Sequence, residues 1–199
     1  MKFIEKYLNQ AEKILQKIDK EQIVSTVELI YKTKIENGRI FFIGSGGGAG
    51  HASHAVNDFR KICNIECYSP SDNVSELTAR INDDGWETSY SNWLLVSKIN
   101  FKDLIFIISV GGGDEEKNIS TNIVNSIKLG KKVGANICGI VGKKNGFTYQ
   151  NADSVIVIPI EDQSLLTPHT ESFQALVWHL LVSHPKLKEN IAKWESISK

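Results

Sequence analysis

Two apolar periodicities alternate along this chain. Residues 1–37 carry Phe3, Ile4, Tyr7, Leu8, Ala11, Ile14, Leu15 and Ile18, and then Ile23, Val27, Ile30, Tyr31 and Lys34, at helical spacing with a polar break near Asp19 and Lys20. This predicts a helical hairpin whose apolar stripe is too broad for a solvated surface, so it packs on the sheet or on another subunit. Residues 39–43, RIFFI, form a short β-branched and aromatic run ended by glycine, which reads as a buried strand. Residues 64–68 predict a second short strand, 75–81 a short helix ending at Asn82-Asp83-Asp84-Gly85, and 86–96 another helix. Residues 103–110 predict a strongly apolar strand that runs into Gly111, Gly112 and Gly113, followed by a helix around 116–129. Further strands are expected over 136–141 and 154–160, with 142–146 as a turn, before a long apolar helix that ends at His184 and Pro185. Strands alternating with helices imply an α/β fold with a parallel sheet of about five strands, and residues 1–199 form one domain. Open parallel sheets bind ligands beyond the carboxyl ends of their strands, where both glycine loops must lie.

Composition narrows the class. With 41% hydrophobic residues and 23 basic against 23 acidic side chains, the chain can bury one sizeable core, and its neutral balance gives no support for nucleic-acid binding. Cys63, Cys67 and Cys138 are odd in number and lack CxxC spacing, so they read as reduced thiols of a cytosolic protein. No apolar leader or membrane-length segment is present, which argues for a cytoplasmic location.

Candidate chemistry gathers at the glycines. Five glycines in the seven residues 44–50, directly after a strand, let the backbone turn tightly and present successive N–H groups, and the following helix adds its positive dipole end. Such a loop suits an anion, most often a phosphate. Gly44, Gly46 and Ala49 also satisfy a loose dinucleotide fingerprint, but Glu66 lies within the second strand and Asp72 beyond it, so the ribose-binding acid is misplaced. His51, His54 and Asp58 follow at i, i+3 and i+7, with His54 and Asp58 on one helical face, a spacing for a metal pair or for a base with its orienter. Glu171 and His179 lie eight residues apart on the last long helix, on nearly the same face. The plain alternative for His179, in an otherwise apolar run, is a satisfied core histidine. His184 reads as a helix-end residue, and Asn82 and Asp83 form a tip that either caps helices or touches substrate.

Taken together, these residues resemble the sugar isomerase (SIS) fold and, within it, the sedoheptulose 7-phosphate isomerases, or phosphoheptose isomerases. The resemblance runs over nearly the full chain, through the helical hairpin, Gly44-Ser45-Gly46-Gly47-Gly48-Ala49, His54 with Asp58, Leu77-Thr78-Ala79 with Asn82-Asp83 and Gly85, and the helix bearing Glu171 and His179. It implies a three-layer α/β fold and a homotetramer with active sites at subunit interfaces. It further implies an aldose–ketose isomerase for a phosphorylated seven-carbon sugar, with a zinc ion held by His54, Asp58, Glu171 and His179. His179 would be an acid/base, with Asp58 or Glu171 as the second carboxylate. Substrate would be held by Ser45, Gly46, Gly47, Gly48, Asn82, Asp83, Ser109, Gly111, Gly112 and Gly113. This chain departs from the family at four positions or stretches. Asp58 and Glu171 replace a glutamate and a glutamine, Gly48 replaces a serine, and the second loop lacks the usual Ser and Thr and carries Asp114. That aspartate would repel a phosphate unless it turns away or is neutralised by Lys117. The rival readings are a sugar-phosphate-sensing module, which would keep the loops without needing the four-residue cluster, and an isomerase of a different phosphosugar.

Overall fold

The computed structural model describes residues 1–197 of the 199-residue chain. Helices α1 (Lys2–Lys17) and α2 (Lys20–Ile35) form the expected hairpin, and the break falls at Asp19, whose carboxylate accepts from the N–H groups of Glu21 and Gln22 as an N-cap. The sheet then builds from β1 (Ile40–Gly44), β2 (Cys67–Tyr68), β3 (Leu104–Ser109), β4 (Asn136–Val141) and β5 (Ser154–Val157). All neighbours pair in parallel, in the order β2-β1-β3-β4-β5. Gly44 stands beside Ile108, so the first two glycine loops leave the same edge of the sheet.

Alternation along the strands sorts their side chains to two faces. Ile40 and Phe42 of β1 join a core with α1, α2, α3 (Gly47–Cys63) and α8 (Leu166–Ser183), built around Ile14, Ile30, Phe59, Val177 and Trp178. Phe41 and Ile43 face the other way, toward Tyr90 and Leu94 of α5 (Trp86–Val96) and Ile123 and Ile127 of α6 (Thr121–Val133). This is the three-layer arrangement. The remaining helices are α4 (Val74–Asp84), α7 (Phe147–Asn151) and the terminal α9 (Lys193–Ile197). The three cysteines are buried, free thiols. No helix is long and apolar enough to cross a membrane among the described residues.

Three expectations need correction. The helix after β3 starts at Thr121, not near 116, because Asp114 accepts from the Lys117 N–H and pairs with Ile119 in an isolated antiparallel bridge, holding 114–119 as a tight loop. The last strand stops at Val157, two residues before Pro159, which cannot donate to a ladder. The turn after β4 leads into the one-turn helix α7, too short for a periodic signal.

Candidate active site

Helix α3 follows the first glycine loop immediately and lies against α8, so these two helices position the ionisable side chains. His54 and Asp58 sit one turn apart on α3, and His179 reaches them from α8. The His54 Nε2 lies 3.7 Å and the His179 Nε2 3.9 Å from Asp58 Oδ2, and one ligand atom from each residue falls within 4.8 Å of the other two. The imidazoles stand nearly perpendicular, 5.4 Å between centroids. Buried Trp178 is their platform, stacked on His179 at 3.5 Å and met edge-on by His54 at 4.7 Å. Both histidines are about half exposed while Asp58 is largely covered.

One hydrogen bond fixes the chemistry of His179. Its Nδ1 lies 2.7 Å from the Ala175 carbonyl, which can only accept, so Nδ1 carries a proton and Nε2 is the ring nitrogen that faces Asp58. Two nitrogen lone pairs and one carboxylate oxygen at these separations suit a small divalent cation. A tetrahedral zinc site with ligand bonds of about 2.1 Å spaces its donors by about 3.4 Å.

Glu171 lies elsewhere on α8. Its carboxylate rests on Gly47, where an added Cβ would come within 2.5 Å of Oε1, so only glycine permits the contact. Beside it, half-buried His51 reaches the Glu171 main-chain carbonyl; burial lowers the His51 pKa from its ordinary value, and the Glu171 charge partly opposes that shift. Glu171 and His51 therefore join the glycine loop, while His54, Asp58 and His179 form a neighbouring cluster.

The two glycine loops differ physically. In the first, the Gly48 and Ala49 N–H groups bond to Ser45 and Gly46, leaving Gly46 and Gly47 N–H outside those bonds at the start of α3. Ser45 accepts from Asn122 Nδ2 at 3.3 Å. The second loop is clipped to α7. The Gly112 N–H donates to Ser109 Oγ, the Gly112 carbonyl accepts from both the N–H and the hydroxyl of Thr148, and Phe147 N–H donates to Gly113. Gly111 alone there opens onto free space. Asp114 is paired with Lys117 at 2.9 Å, a bond that lowers the carboxyl's pKa and raises the ammonium's. Asn82 and Asp83 lie exposed in the last turn of α4, bonded to each other at 2.8 Å. A concavity of about 590 Å³ runs along edge strand β5 past Gln22, Tyr149 and Pro159 and includes none of these residues.

No family model matches the chain. A phosphoheptose isomerase of Helicobacter pylori is 25% identical over 166 residues, 81% of each chain. The phosphoheptose isomerase structure from Neisseria gonorrhoeae superposes with a TM-score of 0.78 at 19% identity, over 91% of this chain and 96% of the other. This chain is a divergent relative of the phosphoheptose isomerases. It has the sugar isomerase fold. The lincomycin biosynthesis protein LmbN of Streptomyces lincolnensis is 29% identical over 168 residues, 79% of this chain, which spans 59% of that protein's length. Trp178 and His51 went unassigned by sequence reasoning: a tryptophan in an apolar run reads only as core, and His51 at i−3 from His54 was the one available signal.

Proposed function

We propose that the chain is an aldose–ketose isomerase that interconverts sedoheptulose 7-phosphate and D-glycero-D-manno-heptose 7-phosphate in the cytoplasm, feeding heptose synthesis for surface polysaccharide. The observation that best supports this is the meeting of His54, Asp58 and His179 beside a strand–glycine–helix loop, in a chain similar to phosphoheptose isomerases over four-fifths of its length. The phosphate rests on the Ser45–Gly48 turn and the start of α3, with Ser109 and Gly111 to Gly113 on its far side, while the carbonyl end of the sugar reaches the cluster. Asn82 and Asp83 contact the sugar from the end of α4.

The chemistry moves one proton between adjacent carbons. A carboxylate, Asp58 or Glu171, takes the proton beside the carbonyl, giving an enediol, and the partner acid returns a proton to the neighbouring carbon. His179 is placed for that role through Nε2 as the metal-free imidazolium, which carries a proton on each nitrogen, the one on Nδ1 being committed to Ala175. His54, Asp58 and His179 would hold a zinc ion, one per subunit. When bound, such an ion supplies polarisation of the two sugar oxygens. The active unit is a homotetramer with sites at subunit interfaces. A sensing module would need the glycine loops but not this cluster.

The test is incubation of purified protein with sedoheptulose 7-phosphate in deuterated water. Interconversion with solvent deuterium at the isomerised carbon is expected. Neither conversion nor label, across a panel of ketose phosphates, would overturn the reading.

A further inference from the structure

Beneath the first glycine loop lies a buried polar network that the catalytic cluster does not use. Asn122, in the first turn of α6, is fully buried; its Nδ2 donates to Ser45 Oγ at 3.3 Å, and its Oδ1 has no partner. An unpaired buried carbonyl is unfavourable, and an apolar side chain of similar size would fill the space without that penalty. Packing therefore does not explain the amide. Tyr90 of α5, only 1% exposed, donates its hydroxyl to the Gly44 carbonyl at 2.8 Å, which fixes the backbone immediately before Ser45. Ser45 is the single hydroxyl in the loop, residues 44–50. Helices α5 and α6 are themselves tied by Asn125 Nδ2 donating to the Glu87 carbonyl at 2.8 Å, so the two supports move together.

We infer that Asn122 and Tyr90 are positioning residues for Ser45, holding its hydroxyl ready to donate to the anionic group that enters the first glycine loop. Asn122 donates to Ser45 Oγ, which leaves the hydroxyl its proton to give, and Tyr90 holds the Gly44 carbonyl that sets where Ser45 stands. An anion at the Gly46 and Gly47 N–H groups is a strong acceptor, and the Ser45 proton turns to it without rebuilding the loop. This inference rests on the sugar-phosphate reading above, and it assigns phosphate selectivity partly to two side chains that never touch the ligand.

Inorganic phosphate is the probe, titrated calorimetrically into the full chain and into Ser45→Ala, Tyr90→Phe, Asn122→Asp and the two double variants containing Ser45→Ala. Tyr90→Phe removes the bond to the Gly44 carbonyl and keeps the ring in place. Asn122→Asp replaces the donor with an acceptor that captures the Ser45 proton. Each single change should weaken phosphate binding by about five- to tenfold, the scale of one net hydrogen bond. In the Ser45→Ala background, either second change should add less than about twofold, because both act through the missing hydroxyl. Thermal midpoints taken in parallel show whether Asn122→Asp folds, and Tyr90→Phe carries the test if it does not. Phosphate binding by the parent with fully additive losses, or with Tyr90→Phe indistinguishable from the parent, would overturn the positioning role and leave the sugar-phosphate reading standing. A parent that takes no phosphate would overturn both.

Discussion

His179 has its two ring nitrogens in different employment, one spent on the Ala175 carbonyl and one presented to Asp58, and a proton-transfer group needs that division. His179→Ala should lower kcat by about 10²- to 10⁴-fold, the usual worth of a general acid or base. Its thermal midpoint should hardly move, since the ring is half exposed and Trp178 stays buried beneath it. Near-full activity in that variant would remove His179 from the mechanism. Metal content tests the same cluster independently: elemental analysis should find about one zinc per chain, and His54→Ala should lose it. Metal-free protein of full activity would reduce these residues to polar or proton-handling groups. The pairing of His54 with Asp58 was readable from their spacing, because one helical turn fixes which side chains are neighbours. The place of Glu171 was not. Eight residues separate it from His179 by about 12 Å along the axis and roughly 80° around it, so whether both lean toward one point depends on what each finds nearby. His179 finds Asp58, and Glu171 finds the bare Cα of Gly47.

At the level of elements, two glycine-rich loops that look alike in sequence have different causes. The first leaves N–H groups at the head of a 17-residue helix. The second is glycine-rich largely because α7 packs on it: Gly112 has φ +76° and would bring a Cβ within 3.2 Å of Thr148. Gly112→Ala should therefore destabilise the fold, by about 1–3 kcal/mol for an L-residue held in the left-handed region. Gly111→Ala places its methyl in open space and should leave stability unchanged while weakening phosphate binding. Denaturant unfolding and phosphate titration of the two variants separate the roles, and equal stability losses would contradict them. The sheet and most helices were legible because their periodicities are strong. The boundaries around 114–120 were not, because an aspartate that bonds its own loop and Ser120 at φ +50° are local choices that overrule a helical pattern. Asp114 illustrates the gain from structure: with Lys117 bound to it, the loop carries a compensated pair in place of a bare negative charge.

At the scale of the whole molecule, α1 is held to its own body along one side only. Lys6 bonds Asp162 at 2.6 Å, Lys17 meets Glu161, Gln10 contacts His169 at 3.0 Å, Tyr7 stacks on the His169 ring, and Ile14 is fully buried. On the other side Phe3, Ile4, Leu8 and Leu15 stay 52–64% exposed, a run of apolar surface that a lone domain has no use for. Helix α4, which carries Asn82 and Asp83, has no buried residue at all. The breadth of the stripe was evident from spacing alone, but spacing cannot say whether its second partner is the chain's own sheet or a copy of the chain, since either satisfies the same pattern. Part of the stripe, including Ile14, Val27 and Ile30, packs into the chain's own core. The exposed remainder should go to a neighbouring subunit, and burying it fully would contribute up to about 1.5–3 kcal/mol for each large side chain, reduced by the part already covered. Light scattering should accordingly find an oligomer, in the expected case a tetramer. The double change Phe3→Arg and Leu8→Arg should dissociate it, because charges on those positions cannot be desolvated against an apolar partner. The dissociated protein should keep its secondary structure by circular dichroism, since neither side chain is in the core, and should lose isomerase activity if a second subunit completes the site. A parent protein that runs as a stable monomer with full activity would contradict both the interface and the shared site.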